Sequence, residues 1–452
     1  MSDSMTTGAT VRQHRPTTRS RRLPRPAAFA AITAVFLIFT AASSAPSPLY
    51  VVYQRDWGFS ATTLTVVFAV YVLGLIASLL VLGALSDHVG RRPVLAGAIA
   101  LEAVALVLFI TAGDVSILLL ARLTQGIATG AAMTTLGAAL VDLNPPHAPG
   151  RAGVVSGSAP IAGLALGALG CGALVQFAPA PTRLVWALLL GGMGLAAVVV
   201  ALLPETSARR PGGLASLAPR LGVPVRLRPD LYAIVPILVA SWALAGLYMS
   251  LGPSVAASLF GLSNHLIGGL VVTLLCGTGA VTTLVLRAWP TTRLLGTGAA
   301  LLVAGTALTL AGVQDHTVAL AAIGTVLAGI GFGAANLASF GTLARLAAPA
   351  ERGELFAVAY VVGYLAFSLP AVLAGFASTS AGLRPTTMAY GLGVVAGALT
   401  ALAAQRMRAA RRSASKDAED MSSGVPMSSA STCSSSAGGT ALQVSGKKSW
   451  TN

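Results

Sequence analysis

Long apolar segments alternate with short polar ones along almost the whole chain. Gly, Pro and charge clusters divide the apolar sequence into twelve segments. Each has about the 20 residues needed to cross a hydrocarbon core of roughly 30 Å. Backbone groups in lipid must be satisfied within the segment, and no alternating barrel pattern is present, so all twelve are predicted to be helices. The predicted spans 1 to 12 are 27–50, 61–85, 93–113, 116–140, 152–176, 183–203, 231–255, 264–286, 293–313, 317–342, 354–378 and 385–405.

Composition supports a membrane protein and argues against several soluble classes. The 452 residues are 55% hydrophobic and 10% charged. The net charge of +15 falls in short basic clusters between the spans, which is typical of membrane topology and not of a nucleic-acid-binding face. Three widely separated cysteines favour neither a disulfide framework nor a metal site. We therefore expect a lipid bilayer as the surroundings, with no nucleic acid, metal or cofactor.

The distribution of Arg and Lys predicts the orientation. If the N-terminus is cytoplasmic, 23 basic residues between the N-tail and the segment just past span 12 lie inside, and only Arg55, Arg183 and Arg384 lie in outer loops. The sequence thus predicts a multi-pass protein of the cell inner (plasma) membrane with both termini in the cytoplasm.

The spans and the polar segments divide the chain into five regions. The Pro- and Arg-rich segment 204–230 is predicted to be a cytoplasmic linker, and the Ser-rich C-terminus cannot bury a core. The predicted regions are a basic cytoplasmic N-tail (1–26), an N-terminal six-helix half (27–203), the linker (204–230), a C-terminal six-helix half (231–405) and a disordered cytoplasmic C-tail (406–452).

An internal repeat relates the two halves. QGIATGAA at 125–132 matches AGIGFGAA at 328–335, and WGFS at 57–60 matches FGLS at 260–263, both at an offset of 203 residues. Six spans per half imply a parallel repeat about an axis normal to the membrane, with a substrate site between the halves near the midplane. The predicted fold is all-α, with twelve transmembrane helices in two pseudo-symmetric six-helix halves.

The loop between spans 2 and 3 carries the most specific motif. GALSDHVGRRPVL, at 83–95, places an Asp and two Arg at the predicted cytoplasmic end of span 2. Span 4 contains a second motif, Arg-x-x-Gln-Gly, beginning at Arg122. Together they resemble the major facilitator superfamily of transporters over residues 27–405, whose loop 2–3 motif is matched by Gly83, Leu85, Asp87, Gly90, Arg91 and Arg92.

The resemblance implies a conformational latch in this loop, which closes the cytoplasmic side against span 11. Its predicted residues are Gly83, Asp87, Gly90, Arg91 and Arg92. The alternative is a solvated turn that obeys the positive-inside rule. His88 occupies a position where the family more often has Arg. Two roles stay open for it: a histidine that makes the latch pH-sensitive, or an inert loop residue. Pro290 replaces Asp87 at the repeat offset, so we expect the latch in one half alone.

Two ionisable residues lie inside predicted spans. Arg122 lies about 9 Å from the outer boundary, and Glu102 lies about 13 Å from the inner one. The resemblance implies that Arg122 lies in the central cavity with a role in substrate or proton coupling. The alternative is that its side chain snorkels to the outer face of the membrane and has no role in transport. Glu102 is a candidate proton carrier or a structural partner of Arg122 across roughly 8 Å of depth.

Aromatic and amide side chains supply the remaining site candidates. A cavity lined by them, with few charges, suits an apolar or amphipathic molecule. Tyr50 and Tyr248 could equally belong to the interfacial aromatic belt. The candidates are Tyr50, Gln125, Trp242, Tyr248, Asn336, Tyr360 and Tyr364.

These features predict a secondary transporter that works by alternating access. The leading hypothesis is proton-coupled efflux of a small organic or drug-like compound, with protons and that substrate as partners and no obligatory protein partner. The glycine-rich stretch GLALGALGCGAL of span 5 has Ala168 where the antiporter motif has Pro, so uptake of a small metabolite stays open. A non-transporting receptor or assembly factor is the alternative of another class. Direct ATP drive is not expected, because no P-loop is present. An enzyme is not expected either, because no HExxH or nucleophile-elbow motif is present.

Overall fold

The chain folds into long helices connected by short loops. A computed structural model gives the structure, and its described part contains no strand. The described residues up to Gln405 form one compact unit, and the described residues beyond it form a second. The residues described are 22–83, 85–148, 150–207, 223–262, 264–346 and 352–422.

Twelve helices in the described part are long and apolar enough to cross a membrane, which confirms the predicted all-α fold with twelve spans. A short helix, Leu85–Val89, lies between spans 2 and 3, and another, Gly252–Leu259, follows span 7. In chain order the spans are Arg25–Ser44 with Pro46–Trp57, Ala61–Leu82, Arg91–Thr111, Val115–Asp142, Arg151–Phe177, Pro181–Leu202, Arg228–Ser250, His265–Val285, Thr291–Gln314, Val318–Leu346, Arg352–Ala381 and Leu383–Ser422.

Side-chain caps fix the start of three spans. Ser60, Asp114 and Asn264 each accept a hydrogen bond from a backbone N–H in the first turn of spans 2, 4 and 8. These caps satisfy backbone donors that have no partner within the helix. Because successive spans alternate in direction, these three even-numbered spans begin at the same end of the bundle, opposite the end that carries the loop 2–3 motif.

Span 1 is longer than predicted and is broken near its middle. One helix ends at Ser44, and the next runs from Pro46 to Trp57, seven residues beyond the predicted end of the span. Proline has no backbone N–H, so Pro46 cannot donate to the carbonyl of Ala42 one turn earlier. The break therefore leaves a carbonyl acceptor inside the bundle.

The internal repeat is visible in the packing of both halves. Span 4 packs on span 2 through Gly130, where an added Cβ would lie 2.6 Å from the Leu75 carbonyl oxygen. The residue 203 positions later, Gly333, packs in the same way against the backbone of Gly279 in span 8. Because only glycine permits such an approach, the repeated sequence preserves one helix contact in each half.

Close contacts between the halves lie along two helix pairs. Span 5 packs against span 8, where a Cβ on Gly172 would lie 3.0 Å from the carbonyl oxygen of His265. Span 2 packs against span 11, where a Cβ on Gly375 would collide with Thr65. The glycines of span 5 therefore have a structural use, since Gly163 and Gly167 also pack against span 1.

The ends of the chain differ in part from the predicted regions. The helix of span 12 continues to Ser422, through the first part of the predicted disordered C-tail. Its sequence there, RMRAARRSASKDAEDMS, is rich in Ala, Arg, Lys, Glu and Met, which have high helix propensity. Residues 423–452, the N-tail before residue 22 and most of the predicted linker (208–222) lie outside the described residues.

Candidate functional site

A chain of three polar side chains is buried between spans 3 and 4. Arg122 donates from Nη1 to Oε1 of Gln125 at 2.5 Å, and Gln125 donates from Nε2 to Oε1 of Glu102 at 2.9 Å. The three residues are 1%, 0% and 0% exposed. The structure therefore brings Glu102 and Arg122 into one network, and Gln125 bridges the difference in depth between them. We call these three residues the polar network.

The broken helix of span 1 completes the polar network. Gln125 Nε2 also donates to the carbonyl oxygen of Ala42 at 3.1 Å, and Arg122 Nη1 donates to that of Ser43 at 3.4 Å. The Ala42 carbonyl is available because Pro46 provides no N–H one helical turn later. A single proline thus converts a helix backbone atom into an acceptor for the side chains of span 4.

Arg122 is surrounded by aromatic rings instead of carboxylates. Its guanidinium carbon lies 4.2 Å from the ring centroid of Tyr71 and 5.9 Å from that of Tyr50. Among the described residues, no carboxylate oxygen lies within 4 Å of it. The rings stabilise the cation through their π faces, an attraction that strengthens when water is excluded.

Three buried atoms around the polar network make no hydrogen bond to any described group. They are Nε of Arg122, Oε2 of Glu102 and the hydroxyl of Tyr50. Leaving a buried polar atom without a partner costs about 1–3 kcal/mol. Buried polar atoms that stay without a partner despite this cost are typical of functional sites. The arrangement can therefore accept a proton on Glu102 and donate a hydrogen bond from Arg122.

The described positions of the second half that correspond to this network by the repeat carry no carboxyl, amide or guanidinium group. At the repeat offset, Glu102 corresponds to Gly305 and Gln125 to Ala328. A Cβ on Gly305 would lie 2.7 Å from the Cα atom of Ala328, so spans 9 and 10 are in direct backbone contact there. The first half replaces this apolar contact by a buried carboxyl and a buried amide.

Aromatic side chains form a cluster in the second half. Trp242 lies at its centre and donates from Nε1 to Oδ1 of Asn336 at 3.0 Å. The ring centroids of Tyr364 and Tyr360 lie 4.8 Å and 6.2 Å from that of Trp242, both edge-on. Four of the predicted cavity residues are therefore in contact with one another. The members of this aromatic cluster are Trp242, Asn336, Tyr360, Tyr364, Phe340 and Phe367.

Span 2 connects the aromatic cluster to the polar network. Phe68 contacts Phe367 of the cluster with ring centroids 4.9 Å apart. Tyr71, which lies three residues later on the same face of span 2, contacts Arg122. The two groups of candidate residues thus face each other across the boundary between the halves.

Tyr248 and Tyr50 are not in the aromatic cluster. The hydroxyl of Tyr248 lies 2.7 Å from Oγ1 of Thr325 and 3.3 Å from that of Thr309, inside the second half. Thr325 is the repeat counterpart of Arg122. Both tyrosines are buried, at 6% and 2% exposed, which differs from the alternative of an aromatic belt at the membrane interface.

Several residues of the site were not predicted from the sequence. Phe68 and Tyr71 are three residues apart in span 2, and in span 11 Phe367 follows Tyr364 by three residues and Tyr360 by seven. Such spacing places side chains on one helix face. The spacing was visible in the sequence, but it did not distinguish a face directed toward the other half from one packed within its own half.

Arg91 is the centre of the predicted latch. Its Nη1 lies 2.6 Å from Oδ1 of Asp87, and its Nε donates to Oδ2 of Asp142 at 3.2 Å. The Arg91 side chain is 12% exposed, and that of Asp87 is 52% exposed. Gly90 has φ of 110°, a conformation that favours glycine. The side chains at 351–354, where span 11 begins, lie outside the described residues, and the contact of the latch with span 11 stays a prediction.

Glu205, at the end of span 6, also binds the latch and was not predicted. Its carboxylate accepts hydrogen bonds from the backbone N–H groups of Arg91 at 2.8 Å and Arg92 at 3.2 Å. The side chain of Arg92 donates in return to the carbonyl oxygens of Val200 and Ala201. Glu205 thus caps the start of span 3, where a negative charge is favourable.

The helices, the buried charges and the glycine-mediated repeat together define a multi-pass membrane protein with the fold of transporters. The family model described as Major Facilitator Superfamily matches residues 31–371. The chain belongs to that superfamily, which confirms the resemblance of its two motifs. Membership supports secondary transport and a transporter rather than an enzyme.

Solved structures share the fold at low sequence identity. The human organic anion transporter MFSD10 (TETRAN) is 19% identical, with a TM-score of 0.63, over 84% of this chain and 100% of that chain. A bacterial homolog of the human lysosomal transporter Spinster, inward-facing and unoccupied, is 15% identical, with a TM-score of 0.66, over 84% and 97%. A D-xylose-proton symporter is 17% identical, with a TM-score of 0.66, over 82% and 96%.

Proposed function

We propose that this chain exports a small, largely apolar organic compound across the cell membrane in exchange for protons, by alternating access between its two halves, 27–203 and 231–405. The observation that carries the proposal is the polar network of Glu102, Gln125 and Arg122, buried next to the aromatic cluster. A titratable carboxyl inside a membrane protein is a functional candidate by default. Aromatic walls with few charges favour an apolar or amphipathic substrate.

In this proposal, Glu102 carries the proton and Gln125 reports its charge state. The ionised carboxylate accepts a charge-assisted hydrogen bond from Gln125, and protonation weakens that bond. Gln125 also holds the Ala42 carbonyl of span 1, and Arg122 holds that of Ser43. In this proposal, a change of charge at Glu102 therefore alters the contacts of the broken helix of span 1 and of Tyr71 in span 2. Both of these border the other half.

Reconstitution tests the proposal directly. The purified protein is placed in proteoliposomes with a pH-sensitive dye inside, a proton gradient is imposed in either direction, and compounds are screened for substrate-dependent proton flux. Flux that couples substrate movement to opposite proton movement is expected. Movement of both in the same direction would favour uptake of a metabolite, and absence of flux with every compound class in both gradient directions would contradict coupled transport.

Variants assign the coupling residue. Glu102→Gln keeps the side-chain shape and an acceptor for Gln125, but it cannot bind the proton, so substrate exchange is expected to persist while proton flux is lost. Asp114→Asn, which neutralises a carboxylate at the start of span 4, is the matched control. Intact proton coupling in Glu102→Gln would leave Glu102 as a structural partner of Arg122. Arg122→Ala is expected to abolish both activities.

The orientation can be tested separately. We propose that both termini are cytoplasmic, because the basic residues cluster in the loops on that side. A reporter active only in the cytoplasm is fused after residue 452 or inserted after Ala178 in loop 5–6. Activity of the first fusion alone is expected, and the reverse pattern would contradict the proposed orientation.

A further inference from the structure

A groove between spans 3 and 6 is lined by no residue of the polar network or of the aromatic cluster. Its volume is about 870 Å³, within the range of roughly 300–1,000 Å³ typical of small-molecule sites. Small side chains on both helices form its walls, spaced by three or four residues so that they lie on one helix face. These wall residues are Ala96, Ala100 and Ala103 on span 3 and Gly194, Ala197 and Ala201 on span 6.

The length of the groove matches one leaflet of a bilayer. It extends from Arg92 to Ala103 on span 3, and eleven residues of helix rise by about 16 Å. The hydrocarbon core is roughly 30 Å thick, so the acyl chains of one leaflet extend over about half of that thickness. On span 6 the groove runs over the same number of residues, from Leu190 to Ala201. The apolar part therefore accommodates an acyl chain that enters from one side of the membrane.

The open end of the groove is basic. Arg22 and Arg92 line it there, and Arg22 makes no hydrogen bond or ion pair with a described residue. The position of Arg22 is fixed by the next residue, because the N–H of Leu23 donates to the carbonyl oxygen of Leu202 at 2.9 Å. Arg92 is held by the carbonyls of Val200 and Ala201 through Nε and Nη2, which leaves Nη1 without a described partner.

Glu205 also lines this end of the groove, but its carboxylate is already hydrogen-bonded within the protein. Both carboxylate oxygens accept hydrogen bonds from backbone N–H groups at the start of span 3. The start of the helix is thereby occupied by an internal anion, so a ligand there would be recognised by the two guanidinium groups. A guanidinium binds phosphate oxygens in a bidentate geometry, and an anionic headgroup, whose phosphate charge is not offset by an ammonium group, gains most from two of them.

We propose that the groove between spans 3 and 6 binds an anionic glycerophospholipid, with an acyl chain between the small wall residues and its phosphate at Arg22 and Arg92. Basic pockets between transmembrane helices on the cytoplasmic side favour such headgroups. A zwitterionic lipid fits the apolar walls equally well but gains less from the two arginines.

Native mass spectrometry of the full-length protein tests this site. The protein is titrated with phosphatidylglycerol or with phosphatidylcholine of identical acyl chains, and retained lipid is counted. The wild-type chain is expected to retain phosphatidylglycerol preferentially. Arg22→Gln, at an exposed position, is expected to weaken its binding roughly fivefold. Arg183→Gln, at the other end of span 6, is the matched control and should bind as wild type.

A second variant pair tests the apolar part. A Cβ at either Gly194 or Gly191 meets no heavy atom within 4 Å, but only Gly194 lines the groove. Gly194→Leu is expected to lose the retained phosphatidylglycerol, whereas Gly191→Leu keeps it. Equal retention of the two lipids by the wild-type protein, or wild-type retention by both Arg22→Gln and Gly194→Leu, would overturn the proposal.

Discussion

The guanidinium of Arg122 lies over the ring of Tyr71, with its central carbon 4.2 Å from the ring centroid. Span 4 can approach span 2 this closely because Gly126 packs directly against the Tyr71 backbone. The aromatic face therefore compensates part of the cost of burying a cation that has no described carboxylate within 4 Å. The stabilisation of this cation therefore depends on the position of span 2.

Replacing the ring of Tyr71 should weaken transport. Tyr71→Leu removes the π face, and the loss of a desolvated cation–π contact is about 2 kcal/mol. We expect substrate transport in proteoliposomes to fall by about tenfold or more. Tyr71→Phe keeps the π face and should retain most of the activity. Equal losses in the two variants would show that the hydroxyl matters and that the ring does not.

Much of this site could be predicted from the sequence, but its connections could not. The depths of Arg122 and Glu102 followed from helix rise alone, and the superfamily motif identified Gln125. The bridging position of Gln125 and the free carbonyl of Ala42 depend on how three helices meet. Helix periodicity specifies faces and depths within one span, whereas the distance between spans is set by packing.

The latch shows the same limit. Its spacing and its turn at Gly90 were visible in the motif, and φ of 110° there agrees with the need for glycine. Asp142 and Glu205, which hold Arg91 from spans 4 and 6, lie 51 and 114 residues away along the chain. No local pattern links such distant positions, so these partners required the structure.

Neutralising Asp87 should slow the conformational cycle. Asp87→Asn keeps the side-chain shape but removes one of two carboxylates on Arg91, a half-exposed pair worth up to about 1 kcal/mol. We expect the maximal transport rate to fall by about two- to fivefold while substrate affinity is nearly unchanged. Asp56→Asn, at the other end of the bundle, is the control. A variant with normal turnover would contradict the latch.

Removing the cap at the start of span 3 should destabilise the protein. Glu205→Ala deletes the acceptor for the backbone N–H groups of Arg91 and Arg92, which costs about 1 kcal/mol. A lower midpoint of thermal unfolding in detergent is expected.

Gly90→Ala should also destabilise, because its Cβ would lie 2.9 Å from Oε2 of Glu205 at a φ that disfavours alanine. In the double variant the steric part of that penalty is relieved, so the two losses should add to less than their sum. Strict additivity would show that Glu205 does not contact residue 90.

Contact between spans 2 and 11 should control access to the site from the end of the bundle where span 2 begins. Gly375 packs so closely on Thr65 that a Cβ there would collide with the threonine side chain. Gly375→Ala must therefore separate these spans or move Thr65, and it should favour the conformation in which this end is open. Gly393→Ala is the control, because a Cβ there meets no heavy atom within 4 Å.

Spin labels at Thr62→Cys and Ser380→Cys, in a chain otherwise free of cysteine, report this separation by double electron–electron resonance. Gly375→Ala is expected to lengthen the mean distance and lower turnover, whereas Gly393→Ala leaves both unchanged. Thr65→Gly should restore the wild-type distance in the Gly375→Ala background, because Oγ1, Cγ2 and Cβ of Thr65, the atoms that collide, are all removed. A distance that stays long in that double variant would show that the contact of Gly375 with Thr65 does not set the closure of spans 2 and 11.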